Sequence, residues 1–134
     1  MVNTPTHPPP NNPAADLVVA CLCAGWCSTC ETYRPVLRQL ASQQPAWLVA
    51  WIDIEDDADA LGDDALDIQT FPTLLLLRAG VPLFYGPLLP QAATLSRLLA
   101  AVANNSLAPS AAANAPAAMA AAVWRLAPQR LLAP

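Results

Sequence analysis

The stretch Leu17-Val18-Val19-Ala20-Cys21-Leu22-Cys23-Ala24-Gly25-Trp26-Cys27-Ser28-Thr29-Cys30 changes character twice. Residues 17–23 are apolar and partly β-branched, which favours a short buried strand. Ala24-Gly25-Trp26 breaks it. From 28 to 44 the residues Tyr33, Val36, Leu37, Leu40 and Ala41 recur at three and four, the period of an amphipathic helix. Pro35 should bend that helix and Pro45 should close it. Cys27 and Cys30 therefore sit where a strand hands over to a helix, with their sulfurs within disulfide range on one helical turn. Unpaired N–H groups and aligned peptide dipoles at the helix start favour a thiolate at Cys27. Cys30, one turn in, should be more buried. The division of labour follows: Cys27 attacks a disulfide and Cys30 resolves the mixed disulfide.

The rest of the chain sets this junction in a layered fold. Residues 47–54 read as a second strand, and the acidic segment 55–67 as holding a short helix over 58–66, weakened by Gly62. Residues 73–78 make a third strand, Ala79-Gly80 a turn, and 81–85 a fourth strand close enough for a hairpin. Pro82 marks that fourth strand as an edge, and Gly86-Pro87 ends the hairpin. Pro90 suits the first turn of a final helix whose face is Leu95, Leu98, Leu99 and Val102, ending near Asn104. The order is β-α-β-α-β-β-α. An α/β fold with a four-stranded mixed sheet and helices on both faces accounts for strands that are apolar almost throughout.

Outside this core the composition changes. Residues 3–13 hold five prolines, three asparagines and two threonines, so 1–16 reads as a disordered or extended arm, with His7 of no evident use. Residues 104–134 read as an alanine- and proline-rich linker with a candidate short helix over 117–127, its apolar content Met119, Val123, Trp124 and Leu126. The foldable domain is thus 17–103, which suits one modest core.

Charge narrows the function. The net charge is −4, with six arginines and no lysine, so no basic face invites nucleic acid. Eight of the ten acidic residues fall between Asp53 and Asp67 and read as a solvated face without a regular calcium loop. No apolar run approaches membrane-spanning length, and 1–16 has neither a basic start nor an apolar run of a secretory leader. The expectation is a cytoplasmic protein. Its four cysteines, all within 21–30, read there as redox chemistry or metal binding rather than a secreted disulfide framework. Cys21 and Cys23 share a strand face. Four thiolates spaced C-x-C-x3-C-x2-C do not form a usual zinc pattern, and a rigid strand opposes convergence. No metal and no cofactor is expected. No core histidine is present to activate Cys27 for hydrolysis.

The junction resembles the active site of the thioredoxin family. The resemblance extends to Pro35, similar to the family's helix-kinking proline, and to Phe71-Pro72-Thr73, similar to its cis-proline loop. Gly80 and Gly86 fit the hairpin turn and the glycine after the last strand. The resemblance spans roughly 17–103 and implies a thiol-disulfide oxidoreductase acting on protein disulfides or dithiols, with a reductase or other electron donor as partner. It implies a cis Pro72 packed against the cysteine pair, Phe71 offering backbone hydrogen bonds to substrate, and Trp26 shielding the disulfide, with Thr73 completing the loop.

Four departures modify that picture. Ser28-Thr29 replaces Gly-Pro between the cysteines, and both hydroxyls can donate to a thiolate. Cys21 stands where the family has a buried aspartate that helps move the proton of the resolving cysteine, so exchange through Cys30 should be slower. Glu31 stands where many relatives have lysine and should oppose ionisation of Cys27 unless it points away. The family's first strand and helix have no room before Leu17, in the manner of the trimmed glutaredoxin-like form. Strand 47–54 then needs a cover: the N-terminal arm, the segment around Trp124, or a second copy in a homodimer. Asp53, at the end of that strand, is a further candidate modulator near the helix start. The competing reading is a non-enzymatic thioredoxin-fold binding or assembly module.

Overall fold

The computed structural model describes residues 17–89 and 91–132. The arm 1–16, with His7, lies outside them, as does Pro90. The elements run β1 (Leu17–Cys23), α1 (Ser28–Gln43), β2 (Trp47–Asp53), α2 (Ala58–Leu61), β3 (Thr73–Arg78), β4 (Val81–Pro87), α3 (Ala92–Ala103) and α4 (Ala117–Leu126). The sheet order is β2-β1-β3-β4. β1 and β2 are parallel, joined by the α1 crossover, and β1–β3 and β3–β4 are antiparallel. The architecture expected from the sequence is the one observed.

Strand period two divides the apolar residues between two cores. Val18, Ala20 and Leu22 of β1 point to one face with Leu48, Ala50 and Ile52 of β2 and Leu75 and Leu77 of β3. Val19, Cys21 and Cys23 point to the other with Trp47, Val49, Leu74 and Leu76. That second face is covered by α1, through Cys30, Tyr33, Leu37 and Leu40, and by α3, through Leu95, Leu98, Leu99 and Val102. All four cysteines thus lie on one side of the sheet, at the end of β1 and the start of α1.

The elements differ from the sequence reading in places. The helix expected over 58–66 is only α2 followed by a 3-10 turn, Asp63–Asp67. Gly62 separates them at φ 76°, a left-handed conformation that glycine adopts without a steric penalty. β4 continues through Gly86 and Pro87, which pair with Leu74 and Thr73. A proline is tolerated there because β4 is an edge. Within 104–118, Pro109–Ala112 forms a 3-10 turn.

The C-terminal segment covers the first core and the β2 edge. α4 buries Met119, Ala120, Ala122 and Val123 against the first core, and Ala127 follows them. The chain then runs along the β2 edge. Trp51 N–H donates to the Arg130 carbonyl at 2.9 Å, and Leu132 N–H donates to the Val49 carbonyl at 2.9 Å. Arg130 also grips the buried Asp57 carboxylate with two hydrogen bonds, of 3.0 and 2.7 Å. A homodimer through 47–54 would first have to displace residues 130–132 from that edge.

Candidate functional site

The site is built by the turn after β1. Cys27 N–H donates to the Ala24 carbonyl at 3.0 Å, and Cys27 then serves as the N-cap of α1. Its backbone is extended, so the next residues start the helix with their N–H groups turned toward the Cys27 sulfur. The neutral thiol makes no capping hydrogen bond. Burial works against its charged form, but the N–H and thiol of Cys30 and the N–H and hydroxyl of Thr29 outweigh it, and the Cys27 pKa is lowered. Cys27 is partly exposed, whereas Cys30 is fully buried. Burial, reinforced by the Cys23 thiol, pushes the Cys30 pKa well up. One helical turn therefore holds a ready thiolate and a reluctant thiol. All four cysteines are free thiols.

The opposite wall is the loop before β3. The Phe71–Pro72 peptide bond is cis, the isomer that the resemblance implies. The loop brings the Phe71 carbonyl to 4.0 Å from the Cys27 sulfur. Thr73 is buried and its hydroxyl donates to the Thr70 carbonyl, which ties the loop to the start of β3. The Trp26 ring stands edge-on to Phe71, centroids 5.5 Å apart, and remains 70% exposed. The Trp26 indole is thus an open apolar face next to a partly exposed sulfur. Ser28 and Thr29 are exposed at its rim.

The modulators named from sequence fare differently. Glu31 turns away from Cys27 and forms a bidentate pair with Arg34, at 3.2 and 2.9 Å. That pairing lowers the Glu31 pKa. Arg34 in turn lies over the Trp51 ring, 4.1 Å from its centroid. Asp53 accepts the N–H groups of Glu55 and Asp56 at 2.8 and 3.2 Å, the work of a strand-end turn. Its other oxygen lies close to Gly25, where a Cβ would stand 3.1 Å from it. Cys21 is fully buried behind the site.

One residue was missed as a site residue. Cys23 is buried on the sheet face that α1 covers, in the cluster that also holds Cys30. Its sulfur lies 3.1 Å from that of Cys21. The shared strand face of Cys21 and Cys23 carried the signal, since α1 had to cover one face of β1. Among the described residues no group of three or more His, Cys, Asp or Glu is arranged to hold a metal ion. Nor is any helix among them long and apolar enough to cross a membrane.

A family model described as Thioredoxin matches residues 11–92. The chain belongs to the thioredoxin family. A thioredoxin of Mycolicibacterium smegmatis is 33% identical over 60 residues, covering 44% of this chain and 54% of that one. A relative in Arabidopsis thaliana is 33% identical over 70 residues, covering 52% of this chain and 44% of its own length. The chain thus spans about half the length of the curated relatives it matches. Among solved structures, a mutant thioredoxin from Halobacterium salinarum is similar at TM-score 0.52 and 32% identity, over 63% of this chain and 72% of that one. Thioredoxin from Trypanosoma brucei brucei shares the fold at TM-score 0.57 and 22% identity, over 68% and 79%. Members of the thioredoxin family are generally disulfide oxidoreductases.

Proposed function

We propose that this chain reduces or exchanges disulfides of other proteins through Cys27, with Cys30 as the resolving thiol. The observation that carries this reading is the contrast between the two sulfurs: Cys27 partly exposed with its thiolate favoured, Cys30 buried with its thiol favoured. In the first step the Cys27 thiolate attacks one sulfur of a substrate disulfide. That S–S bond breaks, and the departing substrate thiolate takes a proton from solvent. In the second step Cys30 gives up its proton and attacks the Cys27 sulfur. The mixed disulfide breaks, the Cys27–Cys30 disulfide forms, and the second substrate thiol leaves.

Trp26 and the Phe71 backbone serve as the docking surface, which suits an extended substrate segment rather than a small molecule. A reductase or other thiol donor returns the pair to the dithiol state, and a reducing compartment such as the cytoplasm suits that cycle. The second step should be the slow one, because burial keeps the proton on Cys30 and Cys21 stands where the family has a carboxylate that helps move it.

Insulin disulfide reduction by wild type, Cys27→Ser and Cys30→Ser tests the reading. Turnover in the wild type and its loss in both variants is the expected result. Equal and negligible turnover in all three proteins refutes the enzyme and leaves a binding module.

A further inference from the structure

The arginines divide by burial. Arg38, Arg97 and Arg125 are exposed, while Arg34, Arg78 and Arg130 are half-buried. Arg34 holds the carboxylate of Glu31 and Arg130 that of Asp57. The Arg78 side chain has neither an ion pair nor a hydrogen bond among the described residues. A guanidinium drawn partly out of water without an acceptor is costly, a cost that the other two half-buried arginines avoid.

Arg78 ends β3, and period two puts its side chain on the face of Leu74 and Leu76, the face that α3 covers. There it lines an open cavity of about 170 Å³ with Pro82 and Leu83 of β4, Val102 of α3, and Asn105 and Leu107 beyond that helix. Arg78 is the only charged residue in the lining, and Asn105 brings the only other polar side chain. Helix capping does not explain the arginine. The carboxyl end of α3 attracts a cation. Its Ala100, Ala101 and Val102 carbonyls, however, already accept the N–H groups of Asn104, Ser106 and Asn105, at 2.9, 2.9 and 3.1 Å. Asn105 turns the chain there at φ 55°, a left-handed conformation that asparagine tolerates.

We propose that this cavity binds a small aliphatic monocarboxylate. Arg78 and the Asn105 amide take the carboxylate, and Leu83, Val102 and Leu107 take the apolar body. One guanidinium matches one carboxylate with two parallel hydrogen bonds. A doubly charged phosphate would find no second cation in the lining, and no hydrogen-bond donor for its other oxygens beyond that amide. The cavity is small beside the roughly 300–1,000 Å³ of ordinary ligand pockets, which limits the ligand to a few carbons. The site is also remote from the cysteine pair. Arg78 pairs with Leu17 at the start of β1, whereas Cys27 and Cys30 follow the far end of that strand. The length of β1 alone separates them by roughly 20 Å. The site therefore does not rest on the exchange reading above.

The test is a titration of the isotope-labelled full chain with isocaproate at fixed ionic strength, followed by backbone amide chemical shifts. Isocaproamide, of the same shape without the charge, is the comparison. Shifts should centre on Arg78, Leu83, Val102, Asn105 and Leu107 and saturate with a Kd on the order of 1 mM, as suits so small a ligand. The amide should bind at least about tenfold more weakly, because it lacks the charge-assisted hydrogen bonds. Arg78→Met keeps the packing of the arginine stem and should bring isocaproate down to the affinity of the amide. Leu107→Phe keeps the guanidinium but fills the cavity, and should abolish binding. Cys27→Ser should bind isocaproate as the wild type does, whether or not the chain turns over insulin.

Absence of saturable shifts by roughly 10 mM overturns the proposal. So does amide binding as tight as that of the acid, or a wild-type affinity in Arg78→Met or Leu107→Phe. Shifts centred on Trp26 and Phe71 would place the ligand at the cysteine site and overturn it too. Inorganic phosphate that displaces isocaproate at equal concentration would show a guanidinium that accepts any anion, and would likewise overturn it. If Arg78→Met fails to fold, the acid–amide comparison and Leu107→Phe still decide.

Discussion

If α4 is part of the core rather than a tail, truncating Met119 must cost as much as truncating a central strand residue. Met119 is 0% exposed and packs on the sheet face made by β1, β2 and β3. Burying such a side chain is worth about 1.5–3 kcal/mol in transfer alone. The unfilled space adds to that, so Met119→Ala should cost about 2–5 kcal/mol. A loss of about 3 kcal/mol lowers the thermal midpoint of a chain this long by roughly 10 °C. Denaturant unfolding followed by tryptophan fluorescence reads the change directly, since Trp124 lies on α4 and Trp47 and Trp51 on β2. Leu66→Ala is the control, because Leu66 is 78% exposed and its loss should stay within about 0.5 kcal/mol. Met119 is on the face opposite the thiols, so the Cys27 titration should not move. A Met119→Ala protein as stable as wild type, or one whose α4 melts in a separate early transition, would refute the placement of this helix in the core.

Further expectations concern the site and the segment that closes the sheet. The Cys27 thiolate, followed by ultraviolet absorbance or by alkylation rate, should appear as pH rises through a midpoint below the ordinary thiol value. Cys27→Ser should abolish that titration, while Cys23 and Cys30, pushed up, stay protonated throughout it. Because the folded-state pKa is lowered, the reduced protein gains stability from Cys27 above the ordinary thiol pKa. It loses that gain as pH falls through the Cys27 midpoint, so a midpoint at or above the ordinary value contradicts the helix-end account. Glu31→Gln should leave this midpoint in place, since Glu31 is held by Arg34, and a clear downward shift would show that its charge reaches the sulfur after all. Arg130→Ala should release residues 130–132 and speed hydrogen exchange at Trp51 N–H, and unchanged exchange there would mean that the Asp57 pair does not hold the segment. Gly80→Ala should cost roughly 1–2 kcal/mol from its φ of +84° alone, because a Cβ there would meet the Trp124 ring at an ordinary 3.7 Å.

The strand and helix order was legible because each signal was local. The apolar run of β1, the three-and-four period of α1 and the glycines at the turns act within a few residues, and the structure keeps them. The cysteine pair was legible for the same reason, since two residues between sulfurs on a helix start fix their separation. The behaviour of Glu31 was not legible. Whether a surface carboxylate faces Cys27 or Arg34 is a choice between rotamers, decided here by a bidentate arginine that also stacks on Trp51.

Sequence by itself determined the layers, the helix-end position of Cys27 and the proline loop as a motif. Only tertiary structure decided what covers the first core and the β2 edge. An alanine-rich stretch such as 104–134 is ambiguous in isolation, because alanine favours a helix but buries little surface. It becomes part of the core once an uncovered sheet face and an open β2 edge exist for it to join.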